Sequence, residues 1–423
     1  MNLNINNQTN EISRKAVMQS IAALSLGVKA GIAPSFAAEP TTKTGRKKVV
    51  RIFLDGGMSH IDSFDPKPQS PDLMGSTTTI KTNTGEEISA YLPETAKRMD
   101  RLAVVRSMVS PEGDHQRAVY LQETSYKLIG TIKHPCFGAW MQKQNGGMND
   151  ALPSSVNITS SYTAGFLGSS FDPFKVNDPK NALKGLVMDN PTSEESLELL
   201  KLMADVRRDF HKQNPVQGAD DYRKYYNDSI KLMQSKDLIA FDLSKESEAS
   251  KKQYDIVHGD KFLLARRLLE ADVQYLSIGL NGWDTHLNMW DDTNFPRIAG
   301  EFDKAFNVFL DDLEARGLLE DTVVSVSTDF GRTPVIDQVR KGRNHHRKAF
   351  FSLLAGAGVN KGIIYGQTDD RAMSVTENPV DPINFNATLA KLAGLDLHKE
   401  IYSPDNRPFT VARGGAIVPG LMA

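Results

Sequence analysis

Runs of apolar, β-branched residues recur along the chain, each followed by a turn and then by a stretch of helical periodicity. Lys48–Leu54 (KVVRIFL) is a short run ending in Asp55-Gly56-Gly57, the pattern of a buried strand entering a turn. Arg101–Met108 and Ser154–Ile158 repeat it, and from His115 to Leu128 the spacing turns helical, with Gly130 as a stop. After residue 259 the alternation is regular. A helix carries Phe262, Ala265 and Leu269 on one face, and strand Val273–Leu280 leads into Asn281-Gly282-Trp283-Asp284. A second helix aligns Phe302, Phe306, Phe309 and Leu313, with Gly317 placed to end it. Strand Thr322–Ser327 runs into Thr328-Asp329-Phe330-Gly331-Arg332. Strand Ala349–Leu354 follows, and a last helix begins in Asn386–Ala393. Strands alternating with helices predict βαβ units and a mainly parallel sheet covered on both faces, an α/β fold.

Two segments depart from that rhythm. Residues 191–257 are charged and mostly helical in pattern, which predicts a helical insertion. Residues 1–37 read as an export signal: a polar start, Arg14-Lys15, a weakly apolar run, and Ser35-Phe36-Ala37 at a small-residue cleavage position. Ser13-Arg14-Lys15 resembles a twin-arginine signal with Lys in the second place, an ordinary secretory signal being the alternative. The apolar run is too short and too diluted to form a stable membrane span. The expectation is a single α/β domain over 38–423, exported to the periplasm or beyond the cell, with oligomeric state left open.

Composition narrows the chemistry. Of 423 residues, 50 are Lys or Arg and 52 Asp or Glu, so no basic excess is present to hold nucleic acid. Losing residues 1–37 removes Glu11, Arg14, Lys15 and Lys29 and shifts the balance further toward acid. One cysteine, Cys136, excludes an internal disulfide and any multi-cysteine metal site. Three strands end in Asp55, Asp284 and Asp329, and ligands of open α/β sheets bind outside the carboxyl ends of strands. Three carboxylates gathered there repel one another unless a cation sits among them. His286 follows one of these turns, and the pair His345-His346 lies near another. Such oxygen and imidazole donors suit a divalent ion, with Zn, Ca, Mg and Mn not distinguished. Each Asp taken singly also reads as a turn or capping residue. Trp283 and Trp290 read as packing or pocket walls.

The motifs LDGGMSHIDSFDPKP (54–68), GDHQRAVYLQETS (113–125), HPCFGAW (134–140), GWDTHLN (282–288), STDFGRTP (327–334), GRNHH (342–346) and YGQTDDR (365–371) occur in that order. Together they resemble a bacterial family of exported, sulfatase-like proteins of unknown function, of the domain of unknown function 1501 type, in the alkaline phosphatase superfamily. The resemblance implies an alkaline-phosphatase-like three-layer α/β/α sandwich and a metal-dependent hydrolase of phosphate or sulfate esters. It implies a small-molecule or glycan ester as substrate. The alternative is a non-catalytic binding protein for sulfated or phosphorylated glycans. By residue, it implies Asp55, Asp284, Asp329 and His345 as metal ligands, with His286 or Asn288 completing one site. Phe330 stands where the superfamily's Asp-His pair places its His, so the half of the site around Asp55 and Asp329 is expected to lack an imidazole. Cys136 lies outside the cysteine-nucleophile context of sulfatases. Candidate catalytic residues are Ser110, Ser59 and His115, the serines having plain turn and capping roles as the alternative. A metal-activated water needs neither serine. Arg332 and Arg343 are candidate clamps for an anionic oxygen, and His60 a substrate-binding candidate or a structural His.

Overall fold

The computed structural model describes residues 46–185, 231–232 and 235–423. The expected export signal lies outside the described residues, as does most of the expected insertion. From 235 to 257 that stretch forms short 3₁₀ turns and one helix, Glu248–Gln253.

Eight strands make one sheet: β1 (Lys48–Asp55), β2 (Leu102–Met108), β3 (Ser155–Ile158), β4 (Phe174–Val176), β5 (Tyr275–Asn281), β6 (Thr322–Thr328), β7 (Phe350–Gly356) and β8 (Ile363–Tyr365). Their spatial order is β8-β2-β7-β6-β1-β5-β3-β4. All ladders are parallel except those that β7 makes with β6 and β2. The edge strands β4 and β8 are three residues each and carry too little pattern to be read from sequence. Central β1 is buried at every residue except its last, Asp55, as a strand covered on both faces must be.

Alternation along β1 divides the core. Val50, Ile52 and Leu54 join the cluster built on helices α3 (Gly259–Glu270) and α4 (Phe295–Ala315). Val49 joins the opposite cluster, with α2 (Phe137–Asn145) and α5 (Pro382–Leu392). Helix α1 (His115–Thr124) lies on this second face, where Arg51 of β1 donates to the Gln122 carbonyl at 2.7 Å. Three layers, α/β/α, result.

Helix limits show what the pattern missed. Helix α1 stops at Thr124, short of Leu128, because Ser125 takes a left-handed conformation (φ 65°) and closes onto the Leu121 carbonyl. Helix α5 starts four residues before Asn386, at Pro382, with Asp381 capping the Asn384 amide. Gly317 follows α4 at φ 69°, the position its pattern predicted. Because β1, β2, β5 and β6 are parallel, their carboxyl ends open onto one rim. Antiparallel β7 brings its preceding hairpin to the same rim.

Candidate metal centre

Five segments meet at that rim. The β1 turn supplies Asp55, and the β2–α1 connection delivers His115 at the first turn of α1. The β5 turn supplies Asp284 and His286, and the β6 end supplies Asp329 and Arg332. The hairpin before β7 supplies His345, whose register is fixed by a two-residue antiparallel ladder pairing His345 with Arg332. Gly56 is obligatory at the β1 turn. It sits at φ 117°, and a Cβ there would lie 2.5 Å from the Asp284 amide nitrogen. Gly342 serves the hairpin in the same way, since its Cβ would meet the His286 carbonyl at 2.2 Å.

Asp284 Oδ1 is the hub. His286 Nε2 lies 2.9 Å from it, His115 Nε2 3.4 Å and His345 Nε2 3.6 Å. Arg332 Nη2 donates to it at 2.5 Å. His115, Asp284 and His345 can each offer a ligand atom such that all three lie within 4.8 Å of one another. The hydrogen bonds behind the imidazoles set their tautomers. His345 Nδ1 is 3.1 Å from the Gly113 carbonyl, which only accepts, so this nitrogen carries the proton and Nε2 keeps a lone pair. His115 Nδ1 is 2.6 Å from Asp329 Oδ2, and its Nε2 is buried without a hydrogen-bond partner. His286 Nε2 accepts from Arg332 Nη1 at 3.0 Å and faces His345 Nε2 at 3.0 Å. Several lone pairs therefore converge, and Arg332 is the one donor shown among them. That donor set suits a cation.

The charges agree with this geometry. The hydrogen bond that His115 Nδ1 donates to Asp329 raises the His115 pKa against partial burial, so a proton and a metal would compete for its Nε2. Burial pushes Asp284 up, but the Arg332 hydrogen bond and charge, with His115 and His286, hold it below the usual carboxylate range. Partial burial and the neighbouring Asp329 and Asp284 raise Asp55, opposed by His115. Burial, Arg332 and the two other imidazoles lower His345, opposed by its bond to Gly113.

The expectation that the Asp55–Asp329 half lacks an imidazole does not hold. Phe330 packs its ring against both His115 and His345, at centroid distances of 4.9 Å and 4.6 Å, and His115 itself brings the imidazole to Asp329. Sequence spacing could not show this, because His115 and Asp329 are 214 positions apart. Of the pair His286 and Asn288, the structure brings His286 to the cluster. Asn288 takes a left-handed φ of 46°, and its amide bonds to the Arg340 carbonyl.

Other candidates lie elsewhere or are already engaged. Arg343 is fully buried on Asp62, Nε to Oδ2 at 2.6 Å, and its remaining N–H groups bond to Asp62 and to the carbonyls of Leu73, Thr333 and Pro334. It is a structural ion pair with no free fork for a substrate anion. Ser59 is buried and donates to Asp62 Oδ2 at 2.5 Å. His60 is fully buried, its Nε2 bonds to the Ala372 carbonyl at 3.0 Å, and burial lowers its pKa to about 4. Ser110 accepts from the Glu112 amide at 3.1 Å. Arg332 is fully buried, and besides Asp284 and His286 it bonds to the carbonyls of Gly56 and Gly57. It acts as a strut behind the site, a role no local pattern signalled. Trp283 is core, edge-on to Phe295 and Phe302, while Trp290 donates to Asp62 and faces the Arg343 guanidinium. Cys136 is buried, and burial pushes its thiol up to about 12.

A family profile described as protein of unknown function (DUF1501) matches residues 46–422. No curated protein matches the chain in sequence. Similar solved structures include a protein in the alkaline phosphatase superfamily from Vibrio parahaemolyticus, at 9% identity and TM-score 0.39, covering 88% of this chain and 69% of that one. The lipoteichoic acid synthase LtaP from Listeria monocytogenes is similar at 10% identity and TM-score 0.38, over 95% and 80%. Alkaline phosphatase from the Antarctic bacterium TAB5 is similar at 11% identity and TM-score 0.37, over 83% and 99%. All three likenesses are distant.

Proposed function

Because the chain belongs to the DUF1501 family of proteins of unknown function, its activity has to be read from its site, and we propose an exported, metal-dependent hydrolase of phosphate or sulfate esters. The observation that carries this reading is the approach of three imidazole Nε2 atoms, those of His115, His286 and His345, to Asp284 Oδ1, with ligand atoms of His115, Asp284 and His345 all within 4.8 Å of one another. His115, Asp284 and His345 would hold the ion, with His286 beside them; Asp55 and Asp329 add negative charge on the β1 side. A divalent ion supplies Lewis acidity there, lowering the pKa of water and neutralising charge on a phosphoryl or sulfuryl group.

The chain's own groups supply the remainder. Asp329 fixes the His115 tautomer, as a carboxylate behind a ligating imidazole does. The N-terminus of ten-residue α1, where Asp114 caps the Arg117 amide, brings the positive end of its helix dipole toward the rim. Arg332 orients Asp284 and His286 from behind.

The test is metal uptake together with turnover. After chelation, the protein is loaded with Zn, Mn, Mg or Ca and assayed on p-nitrophenyl phosphate and p-nitrophenyl sulfate. Retained metal and turnover, both lost in Asp284→Asn and His345→Ala, are expected. A correctly folded protein that takes up no divalent ion overturns the proposal. A second reading draws on the engagement of the Ser59 and Ser110 hydroxyls: a binding protein for sulfated or phosphorylated glycans. Saturable binding of such a glycan without turnover would select it. Twin-arginine export would be read from the periplasmic processing of residues 1–37.

A further inference from the structure

Just beyond α1, Tyr126 and His134 close the base of a loop. Their rings stack at 4.3 Å with planes 3° apart. The Tyr126 hydroxyl donates to the Thr410 carbonyl at 2.7 Å, and the Tyr120 hydroxyl accepts from the His134 amide at 2.7 Å. The loop so clamped is Lys127-Leu128-Ile129-Gly130-Thr131-Ile132-Lys133, with Ile129 and Ile132 joined by an antiparallel bridge. All of it is exposed except half-buried Ile132. Leu128 is 38% and Ile129 46% exposed, on a segment with two lysines and no acid. Burial, then the charges of Arg407 and Arg413, lower the His134 pKa to about 4, which places two further cations near the base. Arg407 is paired with Asp405, while Arg413 is exposed.

Charge distinguishes this loop from other exposed aliphatic positions. Asp291 and Asp292 lie soon after Leu287, and Asp337 lies between Val335 and Val339. The composition also favours one kind of partner. Protein interfaces are enriched in aromatic residues and depleted in lysine, and this loop has the reverse. Aliphatic side chains between lysines suit a lipid surface, where the apolar groups enter and the ammonium groups stay with the phosphates. Four residues from Tyr126 to Gly130 reach at most about 13 Å, at about 3.3 Å each. That suffices for the depth of interfacial insertion, about 5–10 Å.

We propose that loop 127–133 docks the protein on an anionic lipid surface, with Leu128 and Ile129 at the boundary of headgroups and acyl chains and Lys127 and Lys133 on lipid phosphates. Leu128 and Lys133 also line a cavity of about 440 Å³ that reaches Asp55 and His115, so the docking loop borders the approach to the metal centre. Docking is independent of the hydrolase reading and is measured without turnover. Flotation compares vesicles of phosphatidylcholine alone with vesicles that also hold about 30% phosphatidylglycerol. Wild type is expected to float with the anionic vesicles only, and less as salt is raised. The double variants Leu128→Ser/Ile129→Ser and Lys127→Gln/Lys133→Gln should each partition at least about tenfold more weakly, with unchanged Tm. Residues 1–37 are common to all variants, so differences between them report the loop. Should a double variant fail to fold, Ile129→Trp gives a second measurement: its added emission should shift to shorter wavelength with anionic vesicles only. No association of wild type with anionic vesicles, equal association with neutral ones, or undiminished association of the folded double variants overturns the proposal. So does an Ile129→Trp emission that anionic vesicles leave unshifted. A dimer in sedimentation velocity that Leu128→Ser/Ile129→Ser dissociates, without vesicle binding, would assign the loop to a second copy of this chain and likewise overturn it.

Discussion

Arg332→Met tests whether the guanidinium is the strut of the centre. Met has similar length and no donors, so the change removes hydrogen bonds while keeping most of the packing. The Gly56 and Gly57 carbonyls, both buried, lose their donor, at about 1–3 kcal/mol each for a buried group left unsatisfied. Asp284 is half-exposed at 50%, so its ion pair with Arg332 adds about 1 kcal/mol or less after solvent screening. The sum is about 2–7 kcal/mol. At about 2 °C per kcal/mol for a chain of this length, Tm should fall by about 4–14 °C. Loss of the bonds that orient Asp284 and His286 should also weaken zinc binding by about 10–100-fold, the usual effect of removing a group behind the ligands. Differential scanning fluorimetry with and without zinc, and competition against a chromogenic chelator, read the two effects. Arg332→Lys, which restores charge but not the planar fork, should fall between. A variant that melts within about 1 °C of wild type and binds zinc equally well would refute the strut.

Arg343→Met should destabilise by about 3–5 kcal/mol, because it strands the Asp62 carboxylate in the interior with only Ser59, Thr77 and Trp290 as donors; urea unfolding measures it, and a loss below about 1 kcal/mol would contradict the assignment. Glu246, held by Arg266 and Arg267, has its pKa lowered to about 2 from an ordinary 4.5 despite partial burial. Its stabilisation is therefore present above about pH 4.5 and lost as pH falls toward 2, so urea midpoints of wild type should drop more steeply across that window than those of Glu246→Gln. Cys136 should resist iodoacetamide at pH 8 in the native protein and react in denaturant, as mass spectrometry would show; rapid native labelling would mean the thiol is accessible.

What the sequence determined is what short-range pattern encodes. Central strands such as Lys48–Asp55 and Thr322–Thr328 announce themselves because both faces are buried and the residues are β-branched. The acids at their ends follow, since a parallel strand delivers whatever comes next to the rim. Asp55, Asp284 and Asp329, with His286 and His345 nearby, were thus legible as a group. Which side chains share space was decided elsewhere. It depends on sheet order, on the one antiparallel strand that returns His345 to the rim, and on the ladder pairing His345 with Arg332. The His115–Asp329 bond, the burial of Arg343 on Asp62 and the enclosure of His60 all link residues from separate segments. An arginine in a loop has the same local pattern whether it reaches solvent, an anion or a buried carboxylate. Only the packed fold sets the dielectric and the partner that distinguish them. The acids could be read from the chain; that His115 lies against both Asp329 and Asp284, and that Arg332 holds Asp284 in place, required the tertiary structure.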